Sequence, residues 1–221
     1  MLFENRSQAG KMLADRLLKF RELDPAIFAL LRGGVPVGYE IAERLYAPLY
    51  PLLPRKLGAP SDPELAIGAV AQDGTIVLNE ELVGHLRVTG QYIQTAAKQE
   101  MNEIQARLRR YQRYLGSDDL SGKVAILVDD GIATGYTMLA AAKSMRRRNA
   151  GYIVIASPVA PPDTAQLFID IADETIILET PMAFLAVGQF YRDFSPVLDD
   201  EVESLLERHV QNRSSWHSGR E

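Results

Sequence analysis

The chain has 221 residues, 47% hydrophobic and 24% charged, enough to bury a full core and better suited to one elaborated domain than to two. The absence of cysteine removes disulfide scaffolds, thiolate metal sites and cysteine nucleophiles, and agrees with a reducing compartment, so cytoplasm is the expected location. A formal net charge of −5 gives no global positive field for nucleic acid or an anionic membrane, and no apolar run approaches the roughly 20 residues of a membrane span.

The opening stretch, MLFENRSQAGKMLADRL, carries acids among its bases and reads as an amphipathic helix of an unexported protein. Residues 26–31 form a short apolar run ending in Arg32-Gly33-Gly34, followed by helical spacing through Val37, Ile41, Ala42 and Leu45, which predicts strand, glycine turn, helix. A second strand over 49–53 stops at Pro54-Arg55-Lys56, and 65–70 with 75–78 around Asp73-Gly74 predicts a hairpin. Ile93, Ala97, Met101, Ile104, Leu108 and Tyr111 recur at helical spacing and predict one long helix over 91–114. A buried-type strand at 124–128, a helix at 134–148, a strand at 152–157, a helix at 163–171 and a strand at 175–178 follow. The last helix is expected over 199–210, and the polar residues 211–221 as a disordered tail. Such alternation predicts an α/β fold with a mostly parallel central sheet flanked by helices, its ligands held at the carboxyl ends of the strands. Residues 1–210 are expected to form this single domain, with a hairpin and long-helix insertion at about 60–116 and a small hood at about 180–197.

The richest segment for chemistry runs from Val124 to Thr137, where a strand delivers Asp129 and Asp130 before Gly131-Ile132-Ala133-Thr134-Gly135-Tyr136-Thr137 opens a helix. Backbone N–H groups at a helix N-terminus, with the Thr134 and Thr137 hydroxyls, make a phosphate cradle that Gly135 lets an anion approach. Two carboxylates beside a phosphate would repel it unless sugar hydroxyls or a divalent cation compensate. Against this stands a plain strand-end turn with Thr134 as a helix cap, a reading that fits an isolated Asp-Asp-Gly better than it fits the full run.

The run from Val124 to Thr137 resembles the signature of the type I phosphoribosyltransferases. The resemblance implies that Asp129 and Asp130 engage the ribose 2′ and 3′ hydroxyls of phosphoribosyl pyrophosphate as the catalytic pair. It also implies that Ala133, Thr134, Gly135, Tyr136 and Thr137 wrap the 5′-phosphate. Leu31-Arg32-Gly33-Gly34-Val35 is similar to the family's pyrophosphate loop; Arg55 and Lys56 occupy a place where relatives set a basic residue against pyrophosphate. More broadly, Phe28 to Val35, Pro54 to Val70 and Val187 to Phe194 resemble a stand-alone subgroup with an RKLGAP-like segment and no assigned acceptor. Magnesium is implied with the donor, bridging substrate oxygens and waters, with Asp129 and Asp130 as its only candidate protein ligands. In relatives acting on 6-oxopurines the position of Ala133 is usually aspartate, so alanine argues against that specificity.

Phe184, Tyr191, Arg192 and Asp193 are the candidate hood over the acceptor, since aromatics stack on a base and arginine reaches a phosphate; a core strand with one surface ion pair is the equal alternative. Arg107, Arg109, Arg110 and Arg113, with Tyr111 and Tyr114 interleaved, suggest a nucleic-acid face, but Glu100 and Glu103 precede them and a solvated helix fits better. The three histidines lack metal-ligand spacing, and no GxxxxGK[ST] or strand-linked GxGxxG is present. The leading expectation is transfer of a 5-phosphoribosyl group to a nitrogen nucleophile, a nucleobase or related heterocycle. The alternatives are a non-catalytic sensor of the same ligand and a hydrolase of a phosphorylated sugar. A homodimer is a further expectation.

Overall fold

The computed structural model describes residues 1–117 and 119–218, and the side chains of residues 1–117 and 119–215. Its order is α1 (Arg6–Leu17), β1 (Pro25–Leu30), α2 (Gly34–Leu45), β2 (Leu49–Leu52), β3 (Arg55–Ala59), β4 (Asp62–Val70), β5 (Ile76–Leu78), α3 (Glu80–His85), α4 (Gly90–Tyr111), β6 (Val124–Val128), α5 (Tyr136–Arg147), β7 (Tyr152–Val159), α6 (Pro162–Gln166), β8 (Glu174–Glu179) and α7 (Asp199–Ser218). Five strands form one parallel sheet in the order β2-β1-β6-β7-β8.

β1 and β6 are buried along their whole length because successive side chains feed two different cores. Ile27, Ala29, Ile126 and Val128 pack with α1, α2 and α7, while Ala26, Phe28, Leu30, Ala125 and Leu127 pack on the other face with Met138, Ala141 and Met145 of α5. Strand order runs outward to β2 on one side and to β7 and β8 on the other. The carboxyl ends of β1 and β6 are therefore the switch point, where the crevice of an open α/β sheet lies.

Three differences from the sequence reading have physical causes. The predicted hairpin is a three-stranded antiparallel sheet, β3-β4-β5, so Arg55 and Lys56 open a strand instead of ending one. Its edge β3 is carried by Leu57 and Ala59 alone, too few apolar positions to stand out. The helix expected over 163–171 stops at Gln166 and gives way to turns. The last helix passes beyond Val210 to Ser218, correcting the disordered tail as far as that residue; residues 219–221 lie outside the described residues. Its extension is held by polar contacts with α2, which apolar periodicity does not register: His209 Nδ1 lies 2.7 Å from Glu43 Oε1, and Asn212 Nδ2 donates to Glu43 Oε2 at 2.8 Å.

Of the four arginines at 107–113, Arg107 and Arg109 are exposed, as a solvated face expects, while the other two are engaged. Arg110 pairs with Asp200 and Glu203, Arg113 pairs with Glu207 at 2.9 Å, and the phenols of Tyr111 and Tyr114 donate to Asp199 and Glu207. Arg110, Tyr111, Arg113 and Tyr114 thus dock this stretch against α7. No helix among the described residues is long and apolar enough to cross a membrane.

Candidate active site

β6 ends at Val128, and the next two residues carry the carboxylates. Asp129 Oδ1 accepts a hydrogen bond from the backbone N–H of Asp130 at 2.9 Å. Although Asp129 keeps some accessible surface, its carboxyl packs against that amide and near Gly34, where an added Cβ would lie 3.4 Å from Oδ1. Burial first, then the adjacent Asp130 charge, push this carboxyl well above the usual range, favouring the neutral acid in the unliganded protein.

Asp130 is held differently. Arg6, at the start of α1, donates from Nε to Asp130 Oδ2 at 2.7 Å, with both side chains largely buried. The same guanidinium donates from Nη1 to the Ser195 carbonyl at 2.8 Å and lies 3.9 Å over the Phe194 ring. Tyr191 stacks on Phe194 with centroids 5.1 Å apart, and its phenol donates to the Asp130 carbonyl at 2.6 Å. Burial raises the Tyr191 phenol above its ordinary value, so it stays protonated and remains the donor. Phe3 forms a parallel bridge with Tyr191, which adds the N-terminal segment to the hood and delivers Arg6 to the acidic pair.

The glycine turn meets this pair directly. At Gly33 an added Cβ would stand 2.0 Å from Asp130 Oδ2, so the loop after β1 and the carboxylates after β6 face each other across the switch point. The cradle then continues through Ala133 and Thr134, both exposed. Gly135 caps α5 with φ 78°, a conformation that suits glycine, and an added Cβ there would meet Thr164 at 2.9 Å. Buried Thr164 donates to the Ala133 carbonyl at 2.6 Å and ties down the loop. The helix begins at Tyr136, two residues later than expected, and Gly135 makes no side-chain cap bond. The Thr134 and Thr137 hydroxyls have no hydrogen-bond partner among the described residues, so Thr134 is not spent as a cap. The Tyr136 ring packs on Ala69, Ala71 and Val77 of the small sheet.

The remaining sequence-derived candidates are more dispersed. The Arg32 side chain approaches Asp199 at 3.8 Å and lines a cavity of about 180 Å³ shared with Arg107 and Arg110. Arg55 pairs with Glu100 at 2.7 Å, and Lys56 is exposed. In the hood, Phe184 packs on Phe190 with centroids 5.3 Å apart, exposed Arg192 pairs with Glu4 at 3.1 Å, and Asp193 accepts from the Ser195 hydroxyl at 2.6 Å. Tyr191 reaches the acidic pair, whereas Arg192 and Asp193 brace the hood from outside. Arg6 was absent from the sequence reading; it lies 124 positions from Asp130, and no local spacing connects them.

A family model described as a phosphoribosyl transferase domain matches residues 5–182. A protein of Mycobacterium tuberculosis H37Rv named "Putative phosphoribosyl transferase" is 42% identical over 207 residues, 94% of this chain and 47% of the relative, so the chain spans about half the length of that curated protein. The crystal structure of TT1426 from Thermus thermophilus superposes with a TM-score of 0.80 at 36% identity, covering 94% of this chain and 99% of that one. With the matching domain model extending over most of its length, and relatives 42% and 36% identical over 94% of it, the chain belongs to the phosphoribosyl transferase domain family.

Proposed function

We propose that the chain transfers a 5-phosphoribosyl group from phosphoribosyl pyrophosphate to a ring nitrogen of a nucleobase or related heterocycle. The observation that carries this reading is the meeting of three elements at one crevice. Asp129 and Asp130 lie against the Gly33-Gly34 turn, with two unspent threonine hydroxyls beside the start of α5. The carboxyl oxygens suit ribose hydroxyl donors, the Thr134 and Thr137 hydroxyls with nearby backbone amides suit the 5′-phosphate, and the glycine turn suits the leaving pyrophosphate.

In the transfer the bond from ribose C1 to the pyrophosphate oxygen breaks, a bond from nitrogen to C1 forms, and the nitrogen's proton is released. Positive charge develops at the sugar in between, so an anionic group held rigidly beside it lowers the barrier. Arg6 and Tyr191 fix Asp130 for that task, and Asp129 brings a carboxyl able to hold or exchange a proton at its oxygens. Magnesium fits as a companion of the donor: two adjacent carboxyls supply hard oxygen ligands, while no group of three or more potential ligand residues for an all-protein cage exists among the described residues. Bound there, the cation would neutralise charge on the departing pyrophosphate. Ala133 at the cradle offers no carboxylate to an acceptor, which disfavours a 6-oxopurine.

Calorimetric titration with phosphoribosyl pyrophosphate and magnesium, comparing wild type with the Asp129→Asn/Asp130→Asn double variant, tests the reading. Saturable binding lost in the double variant, followed by pyrophosphate release only when a heterocyclic acceptor is present, is the expected result. Absence of binding to folded wild type sinks it, and pyrophosphate release without an acceptor points to hydrolysis. Gly33→Ala is expected to weaken donor binding at least tenfold, because the new methyl would stand 2.0 Å from Asp130 Oδ2 and push the carboxylate aside; unchanged affinity by the same titration would detach the glycine turn from the site.

A further inference from the structure

Away from the switch point, a cleft of about 660 Å³ opens between α4, the second half of α5 and the turn joining β4 to β5. It shares no lining residue with the acidic pair, the glycine turn or the cradle. Ser144, which lines it, sits nine residues beyond Gly135 along α5, roughly 13 Å at the rise of a helix.

Ser144 is 1% exposed, and its hydroxyl is a buried polar atom with no hydrogen-bond partner among the described residues, a cost that a ligand or water in the cleft would relieve. Arg109 from α4 and Arg148 from the end of α5 bring two positive charges to the same cleft, the Arg148 guanidinium already donating to the Ser117 carbonyl and lying over the Phe28 ring. Arg109 is exposed and makes no ion pair among the described residues, whereas its neighbour Arg110 is fully engaged with the acids of α7. Asp73, on the opposite wall, is the only carboxylate lining the cleft among the described residues, and it already accepts from the Thr75 hydroxyl at 2.9 Å. The local balance is therefore one excess positive charge in a protein whose net charge is −5.

The remaining wall is made of amides and two leucines. Gln105 and Gln112 offer paired donors and acceptors of the kind that read the edge of a heterocycle, and Leu108 and Leu115 offer apolar surface for its face. The volume lies within the roughly 300–1,000 Å³ typical of small-molecule sites and is far larger than a bare phosphate requires.

We propose that this cleft is a second ligand site, for a nucleoside monophosphate. Arg109 and Arg148 hold the phosphate, Gln105 and Gln112 hold the base edge, and the Ser144 hydroxyl hydrogen-bonds the ligand from below. This assignment does not rest on the transfer reading; it stands on the cleft alone.

The test combines calorimetry with hydrogen-exchange mass spectrometry on the wild-type chain, using AMP, GMP, CMP and UMP as probes. At least one is expected to bind saturably and to protect amides of residues 105–112 and 144–148, with the matching uncharged nucleoside at least tenfold weaker. Arg109→Glu, an exposed change not expected to disturb folding, should remove that protection while the circular dichroism spectrum and any protection at 129–137 stay as they were. Ser144→Ala, which removes the hydroxyl with little change in side-chain volume, should weaken binding several-fold. Protection confined to 129–137, binding indifferent to Arg109→Glu, inorganic phosphate binding as tightly as every nucleotide, or no saturable binding to the four probes at millimolar concentration would each overturn the proposal.

Discussion

Asp129→Asn is expected to make the unliganded protein more stable while removing its capacity to engage the donor. The wild-type carboxyl is pushed well above its ordinary value by burial and by the Asp130 charge, whereas in the unfolded chain it titrates near about 3.9. Between those limits the unfolded chain has released the proton and the folded chain still holds it, so this residue's contribution to stability falls as pH rises above about 4. Asparagine keeps the oxygen that accepts from the Asp130 N–H and carries no titrating proton. A gain of about 1 kcal/mol at neutral pH, or about 2–4 °C in Tm for a chain of this size, is the expected scale. Thermal unfolding of both proteins at pH 5 and pH 8 checks it: wild type should lose more stability between the two than the variant. Parallel profiles would show that the acidic pair is not strained in the free protein.

The second large effect concerns Arg6. Replacing it by glutamine leaves the Asp130 carboxylate largely buried without its charged partner, a change that costs about 3–5 kcal/mol in comparable buried pairs and would lower Tm by roughly 10 °C. Lysine is expected to rescue little, because the guanidinium serves Asp130, the Ser195 carbonyl and the Phe194 ring at once, a combination that needs a planar fork. The decisive comparison is the Arg6→Gln/Asp130→Asn double variant in denaturant unfolding. Removing the orphaned charge should restore more than half of the loss, whereas simple additivity of the two single changes would mean that the contact carries no coupling.

Much of the site could be read from the chain because it is built from contiguous segments. A strand of five apolar residues, two acids and a glycine-containing turn specify their own geometry locally, and Asp129 to Thr137 occupy one loop and the start of one helix as expected. Gly33 was legible for the same reason: a strand end followed by paired glycines is a turn wherever it occurs. What stayed hidden depends on polar pairing across long separations. Arg6 and Tyr191 meet Asp130 from 124 and 61 positions away, and single-residue contacts at such distances leave no periodicity. The extension of α7 escaped for a related cause, since His209 and Asn212 fasten it to Glu43 through hydrogen bonds while its composition reads as solvent-loving. At the hood the sequence left two readings open, a base platform and a core element. Tyr191 fits the second, being 5% exposed and packed in a small core with Phe3 and Phe190, with its hydroxyl on the Asp130 carbonyl.

The bridge between Phe3 and Tyr191 sets an order of events during synthesis. Chains emerge amino end first, and the five strands of the parallel sheet are all present once residue 179 has left the ribosome. The acidic pair exists by then, but Arg6 has no Ser195 carbonyl to donate to and no Phe194 ring to lie on, and the Asp130 carbonyl has no Tyr191 phenol. The site is thus completed only after the sheet, when residues 191–195 return to residues 3–6. A nascent chain halted just after β8 would carry the strands of the central sheet and lack the clasp that orients its carboxylates.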